Sequence, residues 1–586
     1  MPSGDAVQQR YPARALREYA VLADGQRGAV CGPGGEIVWL CAPCWHDDAV
    51  FSALLGGAGA YAITPVEPHV WGGAYEPRSL IWRSHWATTR TQIESREALA
   101  YPGDPGRVVL LRRIQPVERE ATVAVELDVR ARFRREPMRD PVLGSDGRWT
   151  ARTGELRIRW SGGRDAHLDE DGVLRARIPV AAGQHHDLVL EIGRDELGEH
   201  VDPDAAWRNT EAAWADAVPE LTGAAGPRDA QHAVAVLRGM TTPGRGMVAA
   251  VTMSLPERAE HGGNYDYRYS WIRDQCYAGV AAAEAGVMSL LDDAVAFVGA
   301  RLDEDGEDLE PAYTVHGEPI PGEEPLPHLP GYPGGQTLVR GNRVTHQFQL
   351  DAFGEILQLL AAAAERGRLD TTRMATAESA VAIIERNWDR SEAGLWELDE
   401  RWWTHSRLCC VAGLRRFAAA TADFAQAGRM LVLADALLAE TSRRCLHPDG
   451  HWQRSPDDPR PDAAMLLPLV RDGRGFADPR TAATVEAVRD RLCQDGYVYR
   501  FPQDPDPLGE REGAFLLCGF AMALADEQLG NEIWALRWFE RHRAACGPPA
   551  LLAEEYDVHQ RQLRGNLPQA FVHAMLLESA VRLSPS

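Results

Sequence analysis

The character of the chain changes near residue 220, and this change constrains its fold more than any other feature. Before it, short stretches alternate apolar and polar residues and are separated by clusters of Gly, Pro and Asp. After residues 224–228, long amphipathic stretches rich in Ala and Leu follow one another. Period-two alternation is typical of half-buried strands, whereas apolar residues spaced three and four apart are typical of helices. The sequence therefore predicts a β domain followed by an all-α domain.

The front half is typical of an antiparallel β-sandwich, with its clearest strands at residues 35–41, 107–114, 121–130, 154–160 and 187–192. The back half predicts about eleven or twelve helices, the clearest at 271–285, 290–301, 347–366, 371–386, 408–422, 426–441, 481–492, 515–529 and 569–582. Helices of similar length joined by unequal loops favour a closed barrel of helix pairs with its long loops at one end. We place the domains at 1–222 and 223–586.

The charge balance argues against several classes of partner. Asp and Glu number 85 against 62 basic residues, a formal charge of −23 that repels nucleic acid and anionic membranes. Residues 1–10 lack the apolar core of a secretion signal, and no apolar run approaches the roughly 20 residues of a membrane span. We therefore expect a cytoplasmic enzyme acting on a small molecule. The sequence leaves open whether the chain forms a homo-oligomer.

The ten cysteines do not point to metal or redox chemistry. Cys41 and Cys44 form a C-x-x-C pair, which can be a redox motif or half of a zinc site. No second such pair accompanies it, and it lies in a strand-like stretch. We interpret these cysteines as structural thiols, and expect neither a metal nor a cofactor.

Two glutamates set among apolar residues are the candidate chemical groups. Glu397 lies in GLWELDE at 394–400, and Glu554 lies in LLAEEYD at 551–557. A carboxyl group beside Trp396 can have its charged form disfavoured and hold a proton to donate, while a better solvated carboxylate accepts one. Such a pair is the minimum equipment for cleaving a glycosidic bond. Each alone is a weak signal, since most acidic residues are solvated surface groups.

A segment of interleaved aromatic and charged residues, NYDYRYSWIRD at 264–274, strengthens the interpretation. Aromatic faces stack on the apolar faces of sugar rings, and Arg and Asp side chains hydrogen-bond neighbouring hydroxyls. The alternative is that Tyr267 and Trp271 belong to an edge strand of the core. That alternative would not require Arg273 and Asp274 beside them. We interpret the segment as part of a sugar-binding loop.

Several motifs in sequence order resemble glycoside hydrolase family 15, the glucoamylase-like family. They are NYDYRYSWIRD, RGN at 340–342, QLD at 349–351, GLWE at 394–397, THS at 404–406, YRF at 499–501, EGAF at 512–515 and LLAEEYD. They cover nearly the whole helical half, and residues 18–24 and 35–41 resemble the N-terminal β-sandwich of the prokaryotic members. The resemblance implies an (α/α)6 barrel and inversion at the anomeric carbon of an α-glucoside.

The resemblance also implies roles for individual residues. Glu397 matches the general acid, and Glu554 matches the general base that activates water. The expected substrate-binding residues are Tyr267, Trp271, Arg273, Asp274, Trp396, Arg500 and Glu555. Because Glu555 adjoins Glu554, the sequence alone could exchange the two, although the family pattern favours Glu554 as the base.

The substrate is the least constrained expectation. We expect an exo-acting hydrolase that releases β-glucose from α,α-trehalose or from short malto- or isomalto-oligosaccharides. Two alternatives stay open at this point: a phosphorylase on a related helical barrel, and a catalytically inactive sugar-binding protein. The second acidic segment, at Glu554, argues against a phosphorylase, which would use phosphate in place of a base.

Overall fold

A computed structural model describes residues 11–257, 263–471, 478–503 and 505–584, so the segment 1–10 lies outside the described residues. Eighteen strands form its first part: β1 Ala20–Ala23, β2 Gly28–Cys31, β3 Glu36–Cys41, β4 Ala49–Phe51, β5 Ala60–Pro65, β6 His69–Tyr75, β7 Trp82–Thr88, β8 Gln92–Leu99, β9 Arg107–Pro116, β10 Ala121–Asp128, β11 Arg130–Ala131, β12 Glu136–Pro137, β13 Arg139–Leu143, β14 Trp149–Thr153, β15 Leu156–Ser161, β16 His167–Leu168, β17 Leu174–Val180 and β18 His186–Gly193. The five predicted strands correspond to β3, β9, β10, β15 and β18.

Sixteen of these strands form two antiparallel sheets of eight strands each, and β11 and β12 form a separate antiparallel pair. One has the order β1-β2-β3-β5-β10-β17-β16 with β4 paired to β3, and the other has the order β13-β14-β15-β18-β9-β8-β7-β6. Side chains of both sheets, such as Ile63 and Val125 from one and Trp86 and Leu110 from the other, belong to one buried cluster. Alternation puts every second residue of a strand on this inner face. The predicted β-sandwich is confirmed.

Thirteen α-helices follow within the described residues: α1 Pro203–Ala217, α2 Pro227–Met240, α3 Ile272–Ala285, α4 Met288–Asp305, α5 Asp351–Glu365, α6 Thr371–Asn387, α7 Thr404–Ala420, α8 Phe424–Cys445, α9 Leu466–Arg471, α10 Pro479–Leu492, α11 Leu516–Gln528, α12 Glu532–Arg543 and α13 Ala570–Arg582. The nine predicted ranges correspond to α3 to α8, α10, α11 and α13, and they missed α1, α2, α9 and α12. Among the described helices, none combines the length and apolarity needed to cross a membrane.

Twelve of these helices form a double ring. The inner ring closes through the contacts of α3, α5, α7, α9, α11 and α13, and each inner helix carries one outer helix: α4, α6, α8, α10, α12 and α2, respectively. The inner helices α5, α11 and α13 are buried almost all round, as expected for Ala- and Leu-rich helices at the centre of a fold. The (α/α)6 barrel is confirmed. The boundary proposed at residues 222 and 223 falls between α1, which contacts β9 and β18, and α2, which contacts α13.

One sheet packs against the barrel with the face that it turns away from the sandwich core. Val38 and Trp39 belong to the cluster of the helical half, and the indole N–H of Trp39 donates to the carbonyl of Val251 at 3.0 Å. Arg268, fully buried, ion-pairs with Asp266 at 2.7 Å and donates to the carbonyl of Asp47 in the β half at 2.7 Å. The aromatic and charged segment of the sequence is therefore held by the sheet.

Three short antiparallel pairs and one three-stranded sheet lie among the loops of the barrel. The pairs are β19 Ser270–Trp271 with β20 Ala312–Tyr313, β21 Glu324–Pro325 with β22 Val339–Arg340, and β23 Cys493–Gln494 with β24 Tyr497–Val498. The sheet consists of β25 Ala514–Phe515, β26 Glu555–Asp557 and β27 Gln562–Arg564. It joins the loop before α11 to the loop before α13.

Helices α5 and α7 approach each other through two glycines. A Cβ atom on Gly413 would lie 2.3 Å from the carbonyl oxygen of Gly354, and a Cβ on Gly354 would lie 2.6 Å from the carbonyl carbon of Cys409. Both obstacles are backbone atoms, which cannot rotate away as a side chain could. The absence of side chains at these two positions sets the distance between the helices.

Gly413→Ala is expected to lower the free energy of unfolding by about 1 to 3 kcal/mol, because the added methyl group must push α7 away from α5. Thermal melting followed by circular dichroism measures the change. Gly428→Ala on α8 is the matched control, since its Cβ would meet no atom within 4 Å and alanine favours a helix over glycine by about 0.5 to 1 kcal/mol. Equal shifts of the two melting temperatures would contradict the explanation.

Candidate active site

A cavity of about 50 Å³ lies where three inner helices begin. Trp271, Phe515 and Gln569 directly precede α3, α11 and α13, and all three line it. The cavity brings together eight of the nine residues predicted for the site: Tyr267, Trp271, Arg273, Asp274, Trp396, Glu397, Arg500 and Glu554. A chamber of about 570 Å³ shares four of them with the cavity: Tyr267, Trp396, Glu397 and Arg500.

Glu397 occupies a tight turn between α6 and α7. Its φ of 54° and that of Gly394, 71°, both lie in the left-handed region, which costs a non-glycine residue about 1 kcal/mol or more. The indole N–H of Trp271 donates to Glu397 Oε1 at 2.8 Å, and Arg273 Nη1 lies 3.6 Å from the same oxygen. One carboxyl oxygen is thus held by the protein, which leaves Oε2 for a substrate.

The tryptophan next in sequence to Glu397 does not supply this contact. Trp396 turns its indole N–H to Asp462 Oδ1 at 2.9 Å and packs edge-on against Phe515 with ring centroids 5.1 Å apart. The sequence suggested Trp396 as the apolar neighbour of the acid, whereas the structure places Trp271 on its carboxyl group. The left-handed turn at Glu397 separates the directions of the two adjacent side chains.

Arg273 and Asp274 begin the inner helix α3. Arg273 Nη1 donates to the carbonyl oxygen of Leu395 at 2.9 Å, and its Nε lies 3.4 Å from Asp274 Oδ2. Burial raises the pKa of Asp274 to about 6, although the guanidinium of Arg273 acts in the opposite direction. Both carboxyl oxygens of Asp274 are buried and lack a hydrogen-bond donor in the described residues. They are therefore suited to accept from ligand hydroxyl groups.

The guanidinium of Arg500 lies across the cavity and packs against two aromatic rings. Its guanidinium carbon is 4.9 Å from the ring centroid of Phe515 and 5.4 Å from that of Trp396. Arg500 Nε donates to Glu512 Oε2 at 2.9 Å, and the same carboxylate supports its Nη2. The aromatic rings and Glu512 together fix the plane of the guanidinium and leave its remaining N–H groups for a ligand.

Glu554 and Glu555 differ in their surroundings. Glu554 lines the cavity, and its carbonyl oxygen accepts from the N–H of Leu516 at 3.1 Å. Glu555 does not line the cavity: its Oε2 accepts from the N–H of Gly513 at 2.8 Å, and its Oε1 lies 3.9 Å from Arg500 Nη2. Neighbouring side chains of an extended segment point in opposite directions. Glu555 therefore reaches the site only by way of Arg500.

Comparisons with known proteins decide the family. The model of Glycosyl hydrolases family 15 matches residues 232–581, and that of the Trehalase-like, N-terminal domain matches residues 11–214. The chain belongs to glycosyl hydrolase family 15. It is a glycoside hydrolase, and the cavity lies within the part of the chain that the family model matches.

Relatives of this family 15 hydrolase match it over nearly its full length. A trehalase of Mycobacterium tuberculosis (strain ATCC 25618 / H37Rv) is 29% identical and covers 98% of this chain and 90% of its own. A trehalase of Mycolicibacterium smegmatis (strain ATCC 700084 / mc(2)155) is 27% identical over 98% and 92%. Among solved structures, a bacterial glucoamylase complexed with acarbose shares the fold with a TM-score of 0.70 at 14% identity, covering 98% and 95% of the two chains.

The structure of this family 15 hydrolase also shows residues that sequence reasoning missed. Asp462 and Glu512 hold Trp396 and Arg500 in place, and Gln569 lines the cavity. Glu257 lines the chamber and accepts from the hydroxyl of Tyr267 at 3.1 Å. Apart from Glu512, which stands in the EGAF motif, these residues belong to none of the motifs quoted above. No pattern of the single sequence distinguished Glu257 from the other acidic residues.

Proposed function

We propose that this hydrolase cleaves α,α-trehalose with inversion of configuration and releases one glucose in the β form. The observation that carries the proposal is that Glu397 and Glu554, from separate loops, line the same cavity. Relatives that match nearly the whole chain are trehalases, which favours trehalose over malto- or isomalto-oligosaccharides. Inversion further requires a carboxyl separation of about 6.5 to 9.5 Å, so that a water molecule fits between the base and the anomeric carbon.

In this proposal Glu397 is the general acid. Trp271 donates a hydrogen bond to Oε1, so that the acidic proton belongs on Oε2, where it can pass to the glycosidic oxygen. As the bond between that oxygen and the anomeric carbon breaks, the second glucose leaves with the proton. Arg273, near Oε1, stabilises the carboxylate that remains.

Glu554 is the general base of the proposal. It takes a proton from a water molecule whose oxygen attacks the anomeric carbon on the face opposite to the leaving group. Asp274 and Arg273 hold the hydroxyls of the glucose that is attacked, and Arg500 holds it from the other side. Tyr267, Trp271 and Trp396 provide aromatic surface against the sugar ring. Glu555 contributes by orienting Arg500.

The chamber next to the cavity is the proposed site of the leaving glucose. Its lining is dominated by polar and charged side chains, including Asn342, Arg343, Gln347 and Gln503. A second glucose presents only hydroxyl groups, which such side chains can bind as donors and acceptors. A long apolar aglycone would find little surface to cover there.

Proton NMR of fresh reaction mixtures tests this function. With trehalose, we expect one β-glucose to appear for each α-glucose before mutarotation mixes them, because only the attacked glucose inverts. Maltose and isomaltose, run in parallel, are expected to react more slowly. A product that is α-glucose alone would contradict inversion, and glucose 1-phosphate formed only with added phosphate would indicate a phosphorylase. Glu554→Gln, purified identically, controls for contaminating glycosidases.

A further inference from the structure

A third carboxyl group, that of Glu257, lies beside the two proposed catalytic ones. Its Oε1 accepts from the Tyr267 hydroxyl at 3.1 Å, and its backbone N–H donates to the carbonyl of Gly263 at 3.2 Å. The N–H of Gly565 donates to the carbonyl of the preceding residue, Pro256, at 2.9 Å. The peptide group between Pro256 and Glu257 is thus fixed, and the Glu257 side chain faces the chamber.

Gly565 lets the side chains of Glu257 and Glu554 run side by side. A Cβ atom at this glycine would lie 3.5 Å from Glu257 Cγ and 3.7 Å from Glu554 Cβ, so both chains pass the same point. The φ of Gly565 is 82°, a conformation that glycine adopts without strain. Each carboxyl group shifts the pKa of the other, as expected of two acidic side chains that approach the same point. A hydrogen bond between them requires that one of them carry a proton, because two carboxylates can only accept.

The surroundings favour a single shared proton. Burial raises the pKa of Glu257 to about 8 and raises that of Glu554 well above its usual range. The other ionisable groups around the pair are Tyr265, Tyr267, Arg273, Glu397, Arg500, Glu512 and Glu555. The two arginines favour one negative charge on the pair, and the nearby carboxylates oppose a second. Like-charged carboxyls in contact do not ionise together.

We propose that Glu257 is a positioning residue that keeps the shared proton and donates it in a hydrogen bond to Glu554, so that Glu554 meets the attacking water as an oriented carboxylate. The inference rests on the proposed function, since it assigns a partner to the proposed base. The Tyr267 hydroxyl, bonded to Oε1 of Glu257, fixes which carboxyl oxygen turns towards Glu554. A donor aimed at the charged form of Glu554 stabilises that form.

Two variants of similar size separate this role from a merely structural one. Glu257→Gln keeps an N–H donor for Glu554, and we expect its kcat on trehalose to stay within about threefold of wild type, with the acid limb of the kcat/KM profile unmoved. Glu257→Met fills the space without a donor. We expect it to lower kcat by about 10- to 100-fold at neutral pH and to move the acid limb up by about one pH unit.

The comparison of Glu257→Gln with Glu257→Met can support or overturn the role of hydrogen-bond donor. Coincident pH profiles of the two variants, or a Gln variant worse than the Met variant, would overturn the proposal. Glu385→Gln on the exposed face of α6 removes the same charge far from the pair and should leave kcat and the profile unchanged. Melting temperatures identify any variant that has not folded.

A measurement without substrate keeps this proposal separate from the proposed function. At pH 7, the infrared spectrum of wild type minus that of Glu257→Gln should contain one protonated carboxyl band, whereas wild type minus Glu385→Gln should contain none. Absence of that band would refute the shared proton even in an active trehalase. If the band is present in a protein that does not cleave trehalose, the shared proton of Glu257 and Glu554 is supported and trehalose is refuted as the substrate.

Discussion

Glu397→Gln is expected to lower kcat on trehalose by about 10²- to 10⁴-fold with little change in KM, because general acid catalysis contributes about that much. Glutamine has the size of glutamate, and its oxygen can still accept from the indole N–H of Trp271. It cannot protonate the leaving oxygen. The variant should therefore bind substrate and fold as the wild type does while losing the chemical step.

α-Glucosyl fluoride is the matched substrate for this variant. Fluoride leaves without a proton, so Glu397→Gln should lose far less activity on it than on trehalose. Steady-state rates on both substrates give the comparison. An equal loss on the two would contradict the role of general acid and would favour a binding role for Glu397.

Glu554→Ala is expected to lower kcat by about 10²- to 10⁴-fold on both substrates, because activation of water is needed whatever group leaves. Removing the carboxyl also opens space beside the anomeric carbon, on the face from which water attacks. Added azide, which needs no base, should occupy that space and restore turnover of α-glucosyl fluoride. The product should be β-glucosyl azide, identified by NMR.

Glu555→Ala is the control that separates the two adjacent glutamates. Glu555 accepts from Gly513 and lies near Arg500, so its loss should raise KM through a misplaced guanidinium and should not respond to azide. Azide rescue of Glu555→Ala in place of Glu554→Ala would exchange their roles. Rescue of neither would remove the general base from this pair of residues.

The sequence predicted the architecture well because both halves carry strong periodic patterns. β10 and β15 alternate cleanly, and α5 and α13 are strongly apolar helices, so tertiary context did not have to override local preference. α9 escaped notice because it has only six residues, and α1 because it is a polar helix with only Trp207, Thr210 and Trp214 buried. A helix that covers the edge of another domain needs few apolar residues.

The candidate site could be predicted only where its residues stand in recognisable motifs. Arg273, Asp274 and Glu397 were found in this way, and they surround one cavity. Contacts between side chains in the folded protein were not predicted: that of Trp271 with Glu397, that of Asp462 with Trp396, and the position of Glu257 beside Glu554. Each contact joins residues far apart in the chain, or depends on a side-chain direction set by a left-handed turn, and a single sequence contains neither kind of information.

The contact of Arg268 with the β half has a consequence for recombination between relatives. This guanidinium donates to the carbonyl of Asp47 and to Cys41 Sγ, and it lies one residue from Tyr267, which bonds Glu257. A chimaera that takes its sandwich from one parent and its barrel from another would disturb the wall of the cavity unless both sides of this contact came from the same parent. The two halves are thus expected to be inherited, and exchanged, as one unit.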